Sequence, residues 1–192
     1  MSPTNQGILG NMKFTETQLK GSYVIDLNPF TDSRGWFART YCKNEFLAIG
    51  HTKEWVQMNH SATFVKGSIR GMHYQLPPFS EIKLVRCISG KVFDVIVDLR
   101  AGSPTFLQWF GVELSAKNKK MLYIPEGFAH GFQTLTKDCE LIYHHSAFYK
   151  PNVEGGLRFD DARIGIEWKL PVTEMSERDR GHVYLDEGFK GI

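Results

Sequence analysis

Apolar and polar residues alternate along much of this chain with a period of two, and helical periodicity is nearly absent. The clearest stretch is residues 81–99. Two strand-like runs, 81–88 and 91–99, flank a Ser89-Gly90 turn and predict consecutive strands with a tight connection. In the second run Phe93, Val95, Val97 and Leu99 share one face, and Val92, Asp94, Ile96 and Asp98 share the other. Further strands are predicted within 14–27 and over 55–59, 62–66, 70–75, 105–114, 120–124, 131–134 and 140–145. Residues 41–49 predict one or two helical turns with Phe46, Leu47 and Ile49 as their apolar patch. Residues 28–35 and Glu154-Gly155-Gly156 read as turns, and Pro77-Pro78 ends any regular element. Many short strands with frequent turns predict an all-β fold, a sandwich or barrel with short flanking helices. The 192 residues suit a single domain: a flexible polar arm over 1–12, a barrel over about 14–150, and an extension over 151–192 packed on it.

Composition narrows the function classes. Net charge is only +2, and the densest basic run, Lys117-Asn118-Lys119-Lys120, reads as a solvated turn, so no nucleic-acid partner is expected. No stretch approaches 18 apolar residues and the amino terminus has no basic-then-apolar pattern, so no membrane association is expected. The odd set Cys42, Cys87 and Cys139, without a CxxC, points to free thiols in a reducing cytoplasm.

The candidate chemistry lies at strand ends. His73 follows Arg70-Gly71-Met72 and precedes Tyr74-Gln75, with Lys83 close behind; His130 closes Pro125-Glu126-Gly127-Phe128-Ala129. A barrel mouth lined by Arg70, His73 and Lys83 would attract an anion, and arginine grips phosphate oxygens in pairs. Arg34, beside Gly35, is either a second such grip or an ordinary exposed arginine. The surroundings of His130 resemble the second motif of cupin barrels, where a histidine often binds metal. His73, however, is followed by Tyr74 and Gln75, so the second imidazole of the first cupin motif is missing, and a metal-free pocket is expected. Asp94, among apolar neighbours, either faces a wet cavity or has a partner, a pocket histidine or Arg86. Tyr143 reads, on its own, as a packed barrel aromatic. Two histidines, a lysine, an acid and a tyrosine suit proton transfer.

Taken in order, Arg70-Gly71-Met72-His73-Tyr74-Gln75, Lys83-Leu84-Val85-Arg86, the run from Gly90 to Arg100, Ser103-Pro104-Thr105-Phe106 and Gly127-Phe128-Ala129-His130-Gly131-Phe132 resemble the dTDP-4-dehydrorhamnose 3,5-epimerase family. The resemblance runs from about Asp32 to Asp179. It implies a cupin-type jelly-roll barrel, a homodimer, and a nucleotide-diphosphate 4-keto-6-deoxyhexose as substrate, with no metal and no cofactor. It further implies His73 as general base, Tyr143 as general acid, and Lys83 near the keto oxygen. His130 becomes a second active-site histidine and Asp179 the acid paired with the base. Arg34 and Arg70 would hold the diphosphate, Tyr149 the nucleotide end, and Gln57, Asn59 and Gln75 would border the site.

Two positions depart from the family's pattern. Arg39 stands where an acid commonly follows the aromatic pair, and Met58 stands where an acid often separates Gln57 from Asn59. Either change bears on which nucleotide or sugar is accepted. Competing expectations are a C3-only or C5-only epimerase on a dTDP-, CDP- or GDP-linked sugar, a metal-dependent cupin, and a sugar-binding protein without catalysis.

Overall fold

The computed structural model describes residues 11–192. Thirteen strands carry most of the regular structure: β1 (Lys13–Glu16), β2 (Tyr23–Asp26), β3 (Phe30–Asp32), β4 (Gly35–Phe37), β5 (Gln57–Thr63), β6 (Ile69–Gln75), β7 (Lys83–Ser89), β8 (Lys91–Asp98), β9 (Trp109–Ser115), β10 (Met121–Ile124), β11 (Phe128–Thr134), β12 (Cys139–His145) and β13 (Glu154–Gly156). Two short helices, α1 (Lys43–Leu47) and α2 (Glu177–Arg180), flank them. One antiparallel sheet has the order β1-β2-β10-β7-β12-β5; a second has the order β13-β6-β11-β8-β9. They face each other as the two walls of a jelly roll, and β3 and β4 form a separate hairpin.

Period-two alternation sorts the side chains into three apolar layers. Val85 and Cys87 of β7, Leu122 and Ile124 of β10, Val92 and Ile96 of β8, and Phe128 and Phe132 of β11 fill the space between the sheets. On the outside of the five-stranded sheet, Phe93, Val95, Val97 and Leu99 pack against Leu157, Ile164 and Trp168 of the carboxyl-terminal segment. On the outside of the six-stranded sheet, Ile25, Leu84, Met121 and Tyr123 pack against Phe46 of α1 and Met12. The interior layer fills only part of the barrel. The remainder is lined by polar side chains.

Four expectations need correction. Of the arm expected over 1–12, residues 1–10 lie outside the described residues, but Met12 is buried and its N–H donates to Glu45 Oε2 at 2.7 Å. The runs 55–59 and 62–66 are one strand, β5, because its middle is polar on both faces and hides the alternation. The turn at 28–35 contains β3 and leads into β4. Glu154-Gly155-Gly156 is the edge strand β13 beside β6, with Gly156 opposite His73. Its glycines allow that approach: a Cβ on Gly155 would sit 2.4 Å from the Tyr74 ring, and one on Gly156 2.0 Å from His182.

The turn after β8 is built around Asp98, which is fully buried. Its Oδ2 accepts from Ser103 Oγ and Thr105 Oγ1, both at 2.6 Å, and Arg100 binds both carboxylate oxygens. Burial alone would raise the pKa, but these hydrogen bonds outweigh it and hold the carboxyl at about 2. A depressed carboxyl contributes stability above its unfolded value, about 3.9, and loses it as pH falls through its folded value. Asp98→Asn is expected to cost about 2–4 kcal/mol at neutral pH. In urea melts the gap between the two proteins should narrow between about pH 4 and pH 2; a constant gap would contradict the assignment.

Candidate active site

The polar part of the interior is a cavity of about 260 Å³ between the two sheets. From the six-stranded sheet it receives Gln57, Asn59 and Ser61 of β5, Lys83 of β7, and Tyr143 and His145 of β12. Each set has period two, so all of these side chains point inward. From the five-stranded sheet come Arg70 and His73 of β6 and His130 and Phe132 of β11. His73 and Tyr143 thus reach one compartment from opposite walls.

Arg70 and His73 are three residues apart, and in a regular strand they would point to opposite faces. The register resolves this. His130 pairs with His73, but Phe132, two residues on, pairs with Arg70, so β6 carries one extra residue. The bulge turns Arg70 and His73 to the same side. It requires Gly71, whose φ is +124° and whose Cβ, if present, would sit 2.6 Å from Gly131 Cα.

The bulge also seats an acid. Gly71 N–H donates to Asp179 Oδ2 at 3.0 Å, and His73 Nε2 donates to Asp179 Oδ1 at 2.8 Å. Asp179 lies on α2, whose first turn is capped by Ser176 accepting from the Asp179 N–H. Burial would raise the carboxyl, but the bonds from His73 and Gly71 and the charge of His73 outweigh it, so Asp179 stays below the ordinary carboxylate range. His130 has an equivalent partner: its Nε2 donates to Asp94 Oδ1 at 2.9 Å. That settles the partner of Asp94, since Arg86 lies instead 5.9 Å from the Trp36 ring.

Lys83 is buried, with its ammonium 3.1 Å from Glu81 Oε1. Glu81 Oε2 accepts from His145 Nδ1 at 2.7 Å, and His145 Nε2 faces the Asn59 amide at 3.3 Å. Burial pushes Glu81 up, but His145 and Lys83 outweigh it and keep the carboxyl ionised below its usual value. Tyr143 is hydrogen-bonded to the Ser61 hydroxyl at 3.0 Å and stands edge-on to His130, with ring centroids 6.2 Å apart. Burial drives its phenol far above the ordinary tyrosine value, and the Ser61 bond offsets this only in part.

Of the eleven residues singled out in the sequence, eight line this cavity and Asp179 stands directly behind His73. Arg70 donates to Thr63 Oγ1 and to the Ala62 carbonyl. Tyr149 sits at the rim, with its hydroxyl donating to Glu154. Two are placed elsewhere. Gln75 is buried but its amide is consumed by the backbone of Phe79, Phe148 and Lys150, so it ties loops together and has nothing left for a ligand. Arg34 is on the β3–β4 hairpin, paired with Asp32, its side chain 86% exposed. Trp36 of the same hairpin packs by Arg86, on the outer face of the wall whose inner face carries Lys83. The departures from the pattern are also outside: Arg39 binds Glu45, and Met58 points away from Gln57 and Asn59, 66% exposed.

Sequence reasoning missed Glu81, Ser61, His145 and His182. Glu81 and His145 each lie two positions from a residue it had found, Lys83 and Tyr143, so the strand period was the available signal. His182 follows α2 and stands edge-on to His73, ring centroids 5.6 Å apart.

Known proteins share the sequence pattern and the fold of this chain. The family profile described as dTDP-4-dehydrorhamnose 3,5-epimerase matches residues 16–187. The chain belongs to the dTDP-4-dehydrorhamnose 3,5-epimerase family. A member from Shigella flexneri is 42% identical over 180 residues, covering 93% of this chain and 99% of that protein. The crystal structure of the Elizabethkingia anophelis member superimposes with a TM-score of 0.88 at 38% identity, over 93% of this chain and 98% of that one. A Legionella pneumophila epimerase, solved in complex with dTDP-4-keto-L-rhamnose, gives a TM-score of 0.86 at 37% identity, over 90% and 92% of the two chains. The cupin-type jelly roll of this epimerase family is therefore the fold of this chain. Among the described residues, no helix is long and apolar enough to cross a membrane.

Because its folded pKa is raised, Tyr143 should remain protonated at every pH where a free tyrosine does, that is, below about pH 10. Absorbance titrations of the native protein and of Tyr143→Phe are expected to coincide up to that pH. A phenolate signal below pH 10 that disappears in the variant would refute this.

Proposed function

We propose that this chain epimerises C3 and C5 of dTDP-4-dehydro-6-deoxy-D-glucose, giving dTDP-4-dehydro-L-rhamnose, without metal or cofactor. The observation that carries the reading is the single cavity into which His73, with Asp179 behind it, and Tyr143 project from opposite walls beside Lys83. The ketone at C4 makes the neighbouring C–H protons removable once the enolate charge is stabilised. His73 is the base, and Asp179 orients its ring and offsets the imidazolium charge after abstraction. Lys83, held by Glu81, supplies the positive field at the enolate oxygen, and His130 polarises the same region. Tyr143, kept protonated by burial, delivers a proton to the opposite face of the sugar ring. Each inversion leaves His73 with one proton more and Tyr143 with one fewer, and exchange with solvent resets both. Arg70 holds the diphosphate, Tyr149 meets the nucleotide end, and Gln57 and Asn59 border the site.

In heavy water, deuterium is expected at both C3 and C5 of the product by proton NMR. Exchange at one carbon only would reduce the activity to single-centre epimerisation. His73→Asn should lower turnover by about 10²–10⁴-fold with KM nearly unchanged. Tyr143→Phe should slow inversion more than exchange, and equal losses would remove Tyr143 from the acid role.

We infer further that the enzyme is a cytoplasmic homodimer. The β3–β4 hairpin exposes Phe30, Trp36 and Phe37 beside Arg34, an apolar surface that a second copy would cover. Arg34 can then serve a diphosphate only in the neighbouring protomer. Sedimentation should give twice the chain mass, and Arg34→Ala should raise KM about 10–100-fold while leaving the dimer intact. A monomeric enzyme with full activity would refute the arrangement.

A further inference from the structure

We propose that His73, Asp179 and His182 form a binding site for a divalent transition metal ion of the zinc type, and that its occupation reversibly inhibits the enzyme. Among the described residues this is the one group of three potential ligands whose donor atoms all lie within 4.8 Å of one another. Asp179 Oδ1 is its centre, 2.8 Å from His73 Nε2 and 3.7 Å from His182 Nε2. In a tetrahedral zinc site with bonds of about 2.0–2.1 Å, neighbouring ligand atoms stand about 3.3 Å apart. The two separations to Asp179 bracket that value, and the two imidazole nitrogens lie within 4.8 Å of each other, so a metal draws the rings together around the carboxylate.

Three further features favour a ligand here. His182 Nε2 is buried and has no hydrogen-bond partner, so its lone pair or proton is uncommitted. The ring is fixed by the backbone of Gly156, where even a methyl group would collide with it. The second carboxylate oxygen of Asp179 is held by the Gly71 N–H, which orients the acid as partners outside a metal's ligands commonly do. A fourth position opens toward a wider cleft of about 760 Å³ that Asp179 and His73 also line, leaving room for water. Two imidazoles and one carboxylate suit zinc, cobalt, nickel or copper, whereas magnesium and calcium prefer all-oxygen sites.

The inhibition follows from charge. Metal on His73 Nε2 replaces the carboxylate that offsets the imidazolium with a cation that opposes it, so the ring can no longer accept a substrate proton. This half of the proposal rests on His73 being the base; the binding half does not.

The test uses tag-free protein stripped with EDTA. Cobalt(II) titration is expected to give the visible absorption of a four-coordinate N/O site at one ion per chain. His182→Ala should weaken binding at least tenfold, with His182→Gln as a second variant and circular dichroism to verify folding. His60→Ala, on an exposed histidine paired with Glu140, should leave the titration unchanged. Zinc should inhibit turnover, EDTA should restore it, and the inhibition constant should rise in His182→Ala by the same factor as cobalt affinity falls. Equal cobalt binding by wild type and both His182 variants would overturn the site. Stoichiometric binding that His182 controls, without inhibition, would overturn the inhibitory half and count against His73 as base. An enzyme inactive even when metal-free would refute the proposed reaction, and cobalt binding would still decide the site.

Discussion

One extra residue in β6 is the constraint on which the site depends. Without the bulge at Gly71, Arg70 and His73 could not face the same cavity. Without its N–H, Asp179 would lose one of the two bonds that hold its carboxylate. A backbone irregularity of this kind sacrifices ladder regularity, and the flanking pairs with β11 and β13 absorb that cost. The glycine is therefore a geometric requirement twice over, once for its positive φ and once for its contact with Gly131.

Around that bulge the cavity follows a consistent electrostatic rule. Each inward histidine has its own buried or nearly buried acid: His73 has Asp179, His130 has Asp94, and His145 has Glu81, which Lys83 shares. Burying so many ionisable groups is unfavourable unless each is paired. The three pairs draw on six different positions in the chain; the histidines and Asp94 stand on strands, Asp179 on α2, and Glu81 just before β7. The wall opposite His73 contributes a neutral phenol, so the two faces of a bound ring meet groups of different proton affinity.

Much of this was legible in the chain. The two faces of β8 separate as the alternation predicts, one toward the barrel interior and one toward the carboxyl-terminal segment. Strands lining the polar cavity were harder to read. The inward residues of β5, Gln57, Asn59 and Ser61, are hydrophilic, so one strand resembled two fragments. β11 begins three residues before the predicted start, although Phe128 and Ala129 there are apolar and buried. Asp179 could be reached only through family resemblance, since no local pattern ties a four-residue helix to a bulge more than a hundred residues earlier. Arg34 and Gln75 had suitable chemistry, but local spacing does not report whether a side chain's bonds are already taken.

The sequence separation across the His73–Asp179 contact, 106 residues, bears on how the enzyme becomes active. Loop entropy grows only slowly with length, so closing this contact costs little more than pairing β2 with β10, where Ile25 meets Met121. The segment that carries the acid also covers the outer face of the five-stranded sheet. Docking of the acid is thereby coupled to burial of that face, and damage to the last segment would weaken the scaffold together with the chemistry.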